Sequence, residues 1–337
     1  MMLDGKRILI TGGTGSLGIA LTKKLLEANV EIIRIYSRNE SKQVEMRAQL
    51  DDPRLRFLIG DIRDLERLTK AMEDIDIVFH TAALKHVPVV EYNPFEAIKT
   101  NVLGSQNVID ACLKENVEIA ICIGTDKAVS PLNTYGATKL LAEKLFVSAN
   151  NYLDKKKYRT KFFAVRYGNV LGSSNSVIPL FIKKIKSGQK ITITNSNMTR
   201  FSLTMSEALD FILHAIDIGK GSEIFIPKLK AYSITDVKNV LWKILENTGE
   251  EEIGIRPGEK IHEQMIGLED ALYTYEYPSY YKILPSINDW AEDEQRIGVG
   301  VQVSQDFTYC SDNNKEWMKI SELQNWLKLS RNQIGII

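Results

Sequence analysis

The chain has 337 residues, 44% hydrophobic and 26% charged, enough to bury a large core in one or two domains. Its 43 Lys and Arg balance 43 Asp and Glu, and a formal net charge of zero gives no support to a nucleic-acid partner. Cys112, Cys122 and Cys310 are scattered, with neither a disulfide framework nor a metal spacing, so a reducing compartment and no metal are expected.

The N-terminus runs straight into a strand without a signal pattern, and no stretch approaches the roughly 18 apolar residues of a membrane span. A cytoplasmic protein with no membrane partner is expected. Arg7-Ile8-Leu9-Ile10 is the first apolar run, followed by Thr11-Gly12-Gly13-Thr14-Gly15-Ser16-Leu17-Gly18 and an amphipathic stretch from Ile19 to Ala28. Strand, glycine turn and helix are the setting in which Gly12, Gly15 and Gly18 let a dinucleotide pyrophosphate approach a helix N-terminus. The second strand, Ile32–Tyr36, ends in Ser37 and Arg38, with Lys42 one helical turn further on. An NAD site usually carries a carboxylate here for the ribose 2′-hydroxyl; Arg38 and Lys42 suit a 2′-phosphate instead, which favours NADP.

Leu55–Ile62 is the third strand, with Asp61 at its end to accept from the adenine amino group and Ile62 beside it. Ile75–His80 is the fourth, closed by Thr81-Ala82-Ala83, whose small residues admit the nicotinamide ribose. Lys85 in the loop beyond reads equally as a surface lysine or a substrate-facing cation, and His86 as structural. Asn101 falls in a helix spanning Phe95 to Lys114 with helical apolar spacing.

The fifth strand, Ile119–Ile123, leads to Thr125-Asp126-Lys127 and then to Tyr135 and Lys139, which share one helical face at i, i+4. Phe162–Tyr167 is the sixth strand. Six strands alternating with helices predict an α/β fold, a Rossmann-like doubly wound parallel sheet. The cofactor domain is expected over 1–168, with a segment near 201–226 returning to it, and 169–337 is expected to be mainly a smaller C-terminal substrate-binding lobe. In that lobe Lys190–Thr194 reads as strand, 205–218 and 233–247 as helices, and Arg200 and Arg256 as turn residues suited to a diphosphate.

A phenol is a poor base at neutral pH unless its phenolate is favoured, and Lys139 supplies that stabilisation for Tyr135. The pair suits alcohol oxidation. Asp126 and Lys127 add an acid and a base that simple oxidation does not require. Once a ring carbon is a ketone, they can remove the neighbouring proton and expel a hydroxyl one carbon further on.

The glycine motif, Tyr135-x-x-x-Lys139 and Thr125-Asp126-Lys127 together resemble the extended short-chain dehydrogenase/reductases and, within them, the nucleotide-sugar 4,6-dehydratases. Ala83-Leu84-Lys85-His86-Val87-Pro88, Met198-Thr199-Arg200-Phe201 and Arg256-Pro257-Gly258-Glu259-Lys260 look like the inverting UDP-N-acetylglucosamine 4,6-dehydratases that begin pseudaminic acid synthesis. The likeness runs from about residue 5 to the terminal helix. A sister group typically has Met where Tyr135 stands. The resemblance implies that Tyr135 and Lys139 serve C4 oxidation, that Lys127 takes the C5 proton, and that Asp126, next to Thr125, assists loss of the C6 hydroxyl. Reprotonation of C5 on the opposite face would then give the inverted 4-keto-6-deoxy sugar. It also implies a substrate site of Lys85, Asn101, Asn169, Val177, Thr192, Arg200, Arg256 and Glu259, and a homo-oligomer, a hexamer among the options. This chain departs at Ser173-Ser174-Asn175-Ser176-Val177, where the family usually reads Ser-Arg-Gly-Ser-Val. Three other readings stay open: a C5-retaining dehydratase, a 4-epimerase that needs only the Tyr–Lys pair, and a non-catalytic NADP-binding scaffold.

Overall fold

The computed structural model describes residues 2–154, 156–172, 177–255, 258–286 and 294–334. Six parallel strands, β1 (Arg7–Thr11), β2 (Ile32–Ser37), β3 (Leu55–Ile59), β4 (Ile77–His80), β5 (Ile119–Ile123) and β6 (Lys161–Val165), lie in the order 3-2-1-4-5-6. Helices cover both faces of such a sheet, so its strands read as nearly continuous apolar runs; all five residues of β5 are buried. The strand order reverses between β1 and β4, and a crevice opens at their carboxyl ends.

The sheet is wider than the sequence reading. Ile224–Pro227 joins β6 in parallel, and Tyr280–Ile283, Thr274–Glu276 and Val301–Gln302 follow antiparallel, giving ten strands. The returning segment therefore extends past 226, and part of the 169–337 region belongs to the sheet. These strands are two to four residues long and rich in tyrosine, too short for a clear period-2 signal. The second lobe has its own core, in which Ile178, Phe181, Ile182, Val237 and Leu241 pack with Leu323 and Leu327 of the helix Ile320–Leu329.

Two further differences bear on the site. Arg200 lies inside the buried strand Thr199–Leu203, not in a turn; the arginine breaks an otherwise β-prone Thr-Arg-Phe-Ser-Leu run. The expected helix over Phe95–Lys114 is broken into Pro94–Ala97, a π-helical stretch Ile98–Leu103, and Gly104–Lys114. A π stretch inside a helix often marks a functional position, and here it carries Asn101.

A buried guanidinium ties the helix Thr134–Ala149 to the segment that precedes the antiparallel strands. Just past β6, Arg166 donates from Nε and Nη2 to Glu143 at 3.1 and 2.5 Å, and from Nη1 to Asp270 at 3.0 Å and the Met265 carbonyl at 2.8 Å. Glu143 stands on the helix that also holds Tyr135 and Lys139. Removing one member of a buried ion cluster leaves uncompensated charge, so Arg166→Met should lose about 3–5 kcal/mol in urea unfolding. A loss no larger than about 1 kcal/mol, the value of a surface pair, would contradict this role.

Candidate active site

Gly12, Thr14, Gly15, Ser37, Arg38, Lys42, Asp61, Ile62, Ala82 and Ala83 line one cleft of about 280 Å³ at the β1–β4 switch point. Tyr36, Asn39, Gly60 and Thr100, which sequence reasoning passed over, line it too. Ser16, Leu17 and Gly18 form the first turn of the helix Ser16–Leu26 beside it. Gly12 has φ +69°, and a Cβ there would meet the Ala82 backbone at 2.8 Å. The helix start at Gly15 has no side-chain cap, so its first N–H groups are left for an anion. Thr100 Oγ1 is buried and has no hydrogen-bond partner among the described residues. These features fit a dinucleotide. Asp61 is held by Arg63 at 2.7 Å and faces Arg38 at 3.6 Å. Burial pushes its carboxyl up, but hydrogen bonds and charge from Arg63 outweigh this and hold it below the usual range. Arg63 is absent from the sequence reading; its spacing from Asp61 carries no motif.

The reactive groups collect at the end of β5. Asn133 caps the helix Thr134–Ala149 by accepting from Gly136 N at 2.8 Å, which sets Tyr135 in the first turn. Lys139 is buried, and its Nζ donates to the Ile123 carbonyl at 2.7 Å. Thr125 starts the 3₁₀ turn Asp126–Ala128 and donates from Oγ1 to Asp126 Oδ1 at 2.8 Å. Lys127 Nζ donates to the same Oδ1 at 3.0 Å and to Asn169 Oδ1 at 3.1 Å. Asp126 is 3% exposed, whereas the Lys127 side chain keeps 33% of its surface open.

Burial favours the neutral forms of both groups, yet each holds the other charged. The Lys127 ammonium, with hydrogen bonds from Thr125 and Lys127, keeps the Asp126 carboxyl below its ordinary range. The charges of Asp126 and Glu263 in turn raise Lys127 against the pull of burial. The resting pair is thus carboxylate and ammonium.

A segment of the second lobe clasps this turn. Asn133 Nδ2 donates to the Gly258 carbonyl at 2.9 Å, and Lys260 Nζ donates to the Val129 carbonyl. Asn169 Nδ2 donates to Glu263 Oε1 at 2.6 Å, and Arg200 Nε lies 3.4 Å from the same oxygen. Glu263 gave no local signal in the sequence.

Of the residues that the resemblance assigns to substrate, several spend their side chains on the protein. Asn101, 1% exposed, ties the loop after β4 to the helix of Tyr135: its Oδ1 accepts from Leu84 N at 2.8 Å, and its Nδ2 donates to the Leu84 carbonyl at 2.9 Å and Thr138 Oγ1 at 3.0 Å. Asn169 engages Lys127 and Glu263. Arg200 donates to the Thr199 and Ile261 carbonyls at 2.8 Å and pairs with Glu259 at 3.8 Å. Lys85 is exposed in the loop after β4. Thr192 accepts from Lys184 at 3.2 Å, and Val177 packs on the second-lobe core. Arg256 and residues 173–176, where the chain departs from the resembled family, lie outside the described residues.

The strand order, the glycine cleft and the Tyr135–Lys139 helix define the architecture of an extended short-chain dehydrogenase/reductase. The polysaccharide biosynthesis protein family matches residues 8–285, and the chain belongs to that family. It is 48% identical over 330 residues to an inverting UDP-N-acetylglucosamine 4,6-dehydratase of Campylobacter jejuni, covering 96% of this chain and 97% of that one. A UDP-glucose 4-epimerase of Rickettsia akari is 41% identical over 287 residues, 84% of each chain. The X-ray structure of Pen from Bacillus thuringiensis superposes with a TM-score of 0.88 at 39% identity, covering 99% of both chains.

Gly12→Ala tests the cleft. Its Cβ would collide with Ala82 and strain a positive φ, so the Kd for reduced nicotinamide dinucleotide, NADH or NADPH, read by fluorescence titration, should rise at least about 10-fold while the circular dichroism stays unchanged. An unchanged Kd would show that no nucleotide passes this glycine.

Proposed function

We propose that the chain is a UDP-N-acetylglucosamine 4,6-dehydratase that inverts C5 and uses NADP. Its product would be UDP-2-acetamido-2,6-dideoxy-β-L-arabino-hexos-4-ulose. The observation that carries this reading is the buried Asp126–Lys127 pair beside Tyr135 and Lys139, since an oxidation alone has no use for it. The printed activity of the Campylobacter relative, at 48% identity over nearly the whole chain, supports the same reaction.

Gly12, Gly15 and the open helix N-terminus would hold the pyrophosphate, and Arg38 and Lys42 at the cleft rim favour a 2′-phosphate. When bound, the nicotinamide would supply the acceptor for the C4 hydride and the donor that returns it to C6, so there would be no net redox. Tyr135 takes the C4 hydroxyl proton, and the Lys139 ammonium stabilises the phenolate it needs. Lys127 then passes a proton to Asp126 across their 3.0 Å hydrogen bond, which creates a neutral amine and a carboxylic acid together. The amine takes the C5 proton and the acid protonates the C6 hydroxyl, which leaves as water. Both groups end in their resting charge states, so the step balances. A C5 proton delivered from the opposite face gives inversion.

Tyr135, where the sister group carries Met, favours the pseudaminic acid branch. Three free cysteines suit a reducing cytoplasm, and among the described residues no helix is long and apolar enough to cross a membrane. Val89, Tyr92, Phe95, Leu103 and Leu141 are exposed apolar residues on neighbouring helices, which supports a homo-oligomer. The 4-epimerase reading has the Rickettsia relative in its favour but leaves Asp126 and Lys127 without work.

Purified protein with UDP-N-acetylglucosamine in D₂O and no added reductant should give a 4-keto-6-deoxy product deuterated at C5, with altered ring coupling by NMR. Unreacted sugar would refute the proposal. A galacto product would make the chain an epimerase, and unaltered coupling a retaining dehydratase.

A further inference from the structure

Asn169 stands between the catalytic lysine and a buried carboxyl that the proposed reaction leaves without work. Its strand, Asn169–Val170, pairs in parallel with Ser202 and Leu203 of the strand that carries Arg200, which fixes its backbone. Its Oδ1 accepts from Lys127 Nζ at 3.1 Å, and its Nδ2 donates to Glu263 Oε1 at 2.6 Å. Glu263 is itself tightly placed. Its side chain is 7% exposed, its backbone N–H donates to Ser311 Oγ at 2.9 Å, and that hydroxyl meets Thr199 Oγ1 at 2.7 Å. Arg200 Nε, which can only donate, lies 3.4 Å from the same Oε1. Oε2 is buried without a donor among the described residues, so the side-chain partners of Glu263 gather on one oxygen. A buried carboxyl with one oxygen unfilled is a poor stabiliser, and its placement calls for another reason.

An asparagine amide is nearly symmetric in shape, so only its partners decide which end faces which neighbour. Here an ammonium that can only donate meets the carbonyl, and a carboxyl oxygen meets the NH₂. We propose that Glu263 is a positioning residue: by holding Asn169 Nδ2 it locks the amide with its carbonyl toward Lys127, which keeps the lone pair of the neutral lysine free for the substrate proton. The proposal rests on Lys127 acting as the elimination base.

The reason lies in the geometry of Nζ. An ammonium has three N–H groups. One points to Asp126 Oδ1 at 3.0 Å and one to Asn169 Oδ1 at 3.1 Å, which leaves a third direction on a side chain with 33% of its surface open. Once a proton has passed to Asp126, two N–H groups and one lone pair share these directions by rotation about Cε–Nζ. A carbonyl can only accept, so the direction facing Asn169 must hold an N–H. The lone pair is thereby kept to the other two, toward Asp126 or toward the open side from which the C5 proton is taken. A reversed amide would do the opposite. It would set an NH₂ against the ammonium and, after proton transfer, donate to the lone pair and occupy the base. With Glu263 anchored by Ser311 and Arg200, reversal would also turn the Asn169 carbonyl onto a carboxyl oxygen.

Two measurements decide the point. In single turnovers of the NADP-loaded protein with UDP-N-acetylglucosamine, reduced nicotinamide rises as C4 is oxidised and decays once elimination lets the hydride return. Glu263→Gln has the same shape but can present its own NH₂ and let the Asn169 amide reverse. It should keep the rate of the rise and slow the decay at least about 10-fold, a fraction of what a general base contributes. Asn169→Ala has no amide to lock, so adding Glu263→Gln to it should change the decay by less than about 2-fold. An unchanged decay in Glu263→Gln, equal slowing of both phases, or the same slowing in the Asn169→Ala background would overturn the proposal. The second measurement needs no turnover. In ¹⁵N-resolved NMR of the whole protein, the side-chain NH₂ of Asn169, identified by its loss in Asn169→Ala, should show one proton shifted downfield by its carboxyl partner. That shift should vanish in Glu263→Gln, and its persistence would also overturn the proposal. Failure of the dehydratase reading would look different: the wild type would form no 6-deoxy sugar, while the amide signal would still report whether Glu263 holds Asn169.

Discussion

An ammonium and a carboxylate 3.0 Å apart at the end of β5 are the constraint on which the rest of the site depends. At an effective dielectric near 20 their attraction is about 5 kcal/mol, comparable to the several kcal/mol per ion that desolvation costs. The pair alone is close to balance. The hydroxyl of Thr125 and the amide of Asn169 tip it, and both are held in place by backbone elements that the fold fixes.

The two lobes contribute different parts. The parallel sheet supplies the cleft, the turn at residues 126–128 and the Tyr135 helix, an arrangement compatible with oxidation in general. The second lobe supplies Asn169, Arg200 and Glu263, which bear on the acid and base. Arg166 ties the helix that holds Tyr135 and Lys139, through Glu143, to Asp270. Relatives named as dehydratase and as epimerase both align along most of the chain, so the general fold does not separate these outcomes. On the proposed reading, the buried pair and what surrounds it carry the distinction.

Much of this was legible in the sequence because it is local. Apolar runs announce β1 to β6, the glycine spacing announces the cleft, and the i, i+4 relation of Tyr135 and Lys139 needs only a helix. What escaped depends on contacts between distant segments. Glu263 sits in an unremarked His-Glu-Gln stretch and gains meaning only where the second lobe folds onto Asp126. Arg200 reads as a loop cation, yet carbonyls and carboxylates enclose it within a strand. The π stretch that turns Asn101 toward Leu84 leaves the apolar periodicity nearly unchanged, so no helical pattern could reveal it.

The division of labour between the two pairs has one direct measurement. Lys127→Ala, loaded with NADP and given UDP-N-acetylglucosamine, retains Tyr135 and Lys139 but lacks the base. It should accumulate the absorbance of reduced nicotinamide without forming any 6-deoxy sugar, and its affinity for NADP should match that of the wild type. Normal dehydration by this variant, or loss of NADP binding, would contradict the role assigned to Lys127.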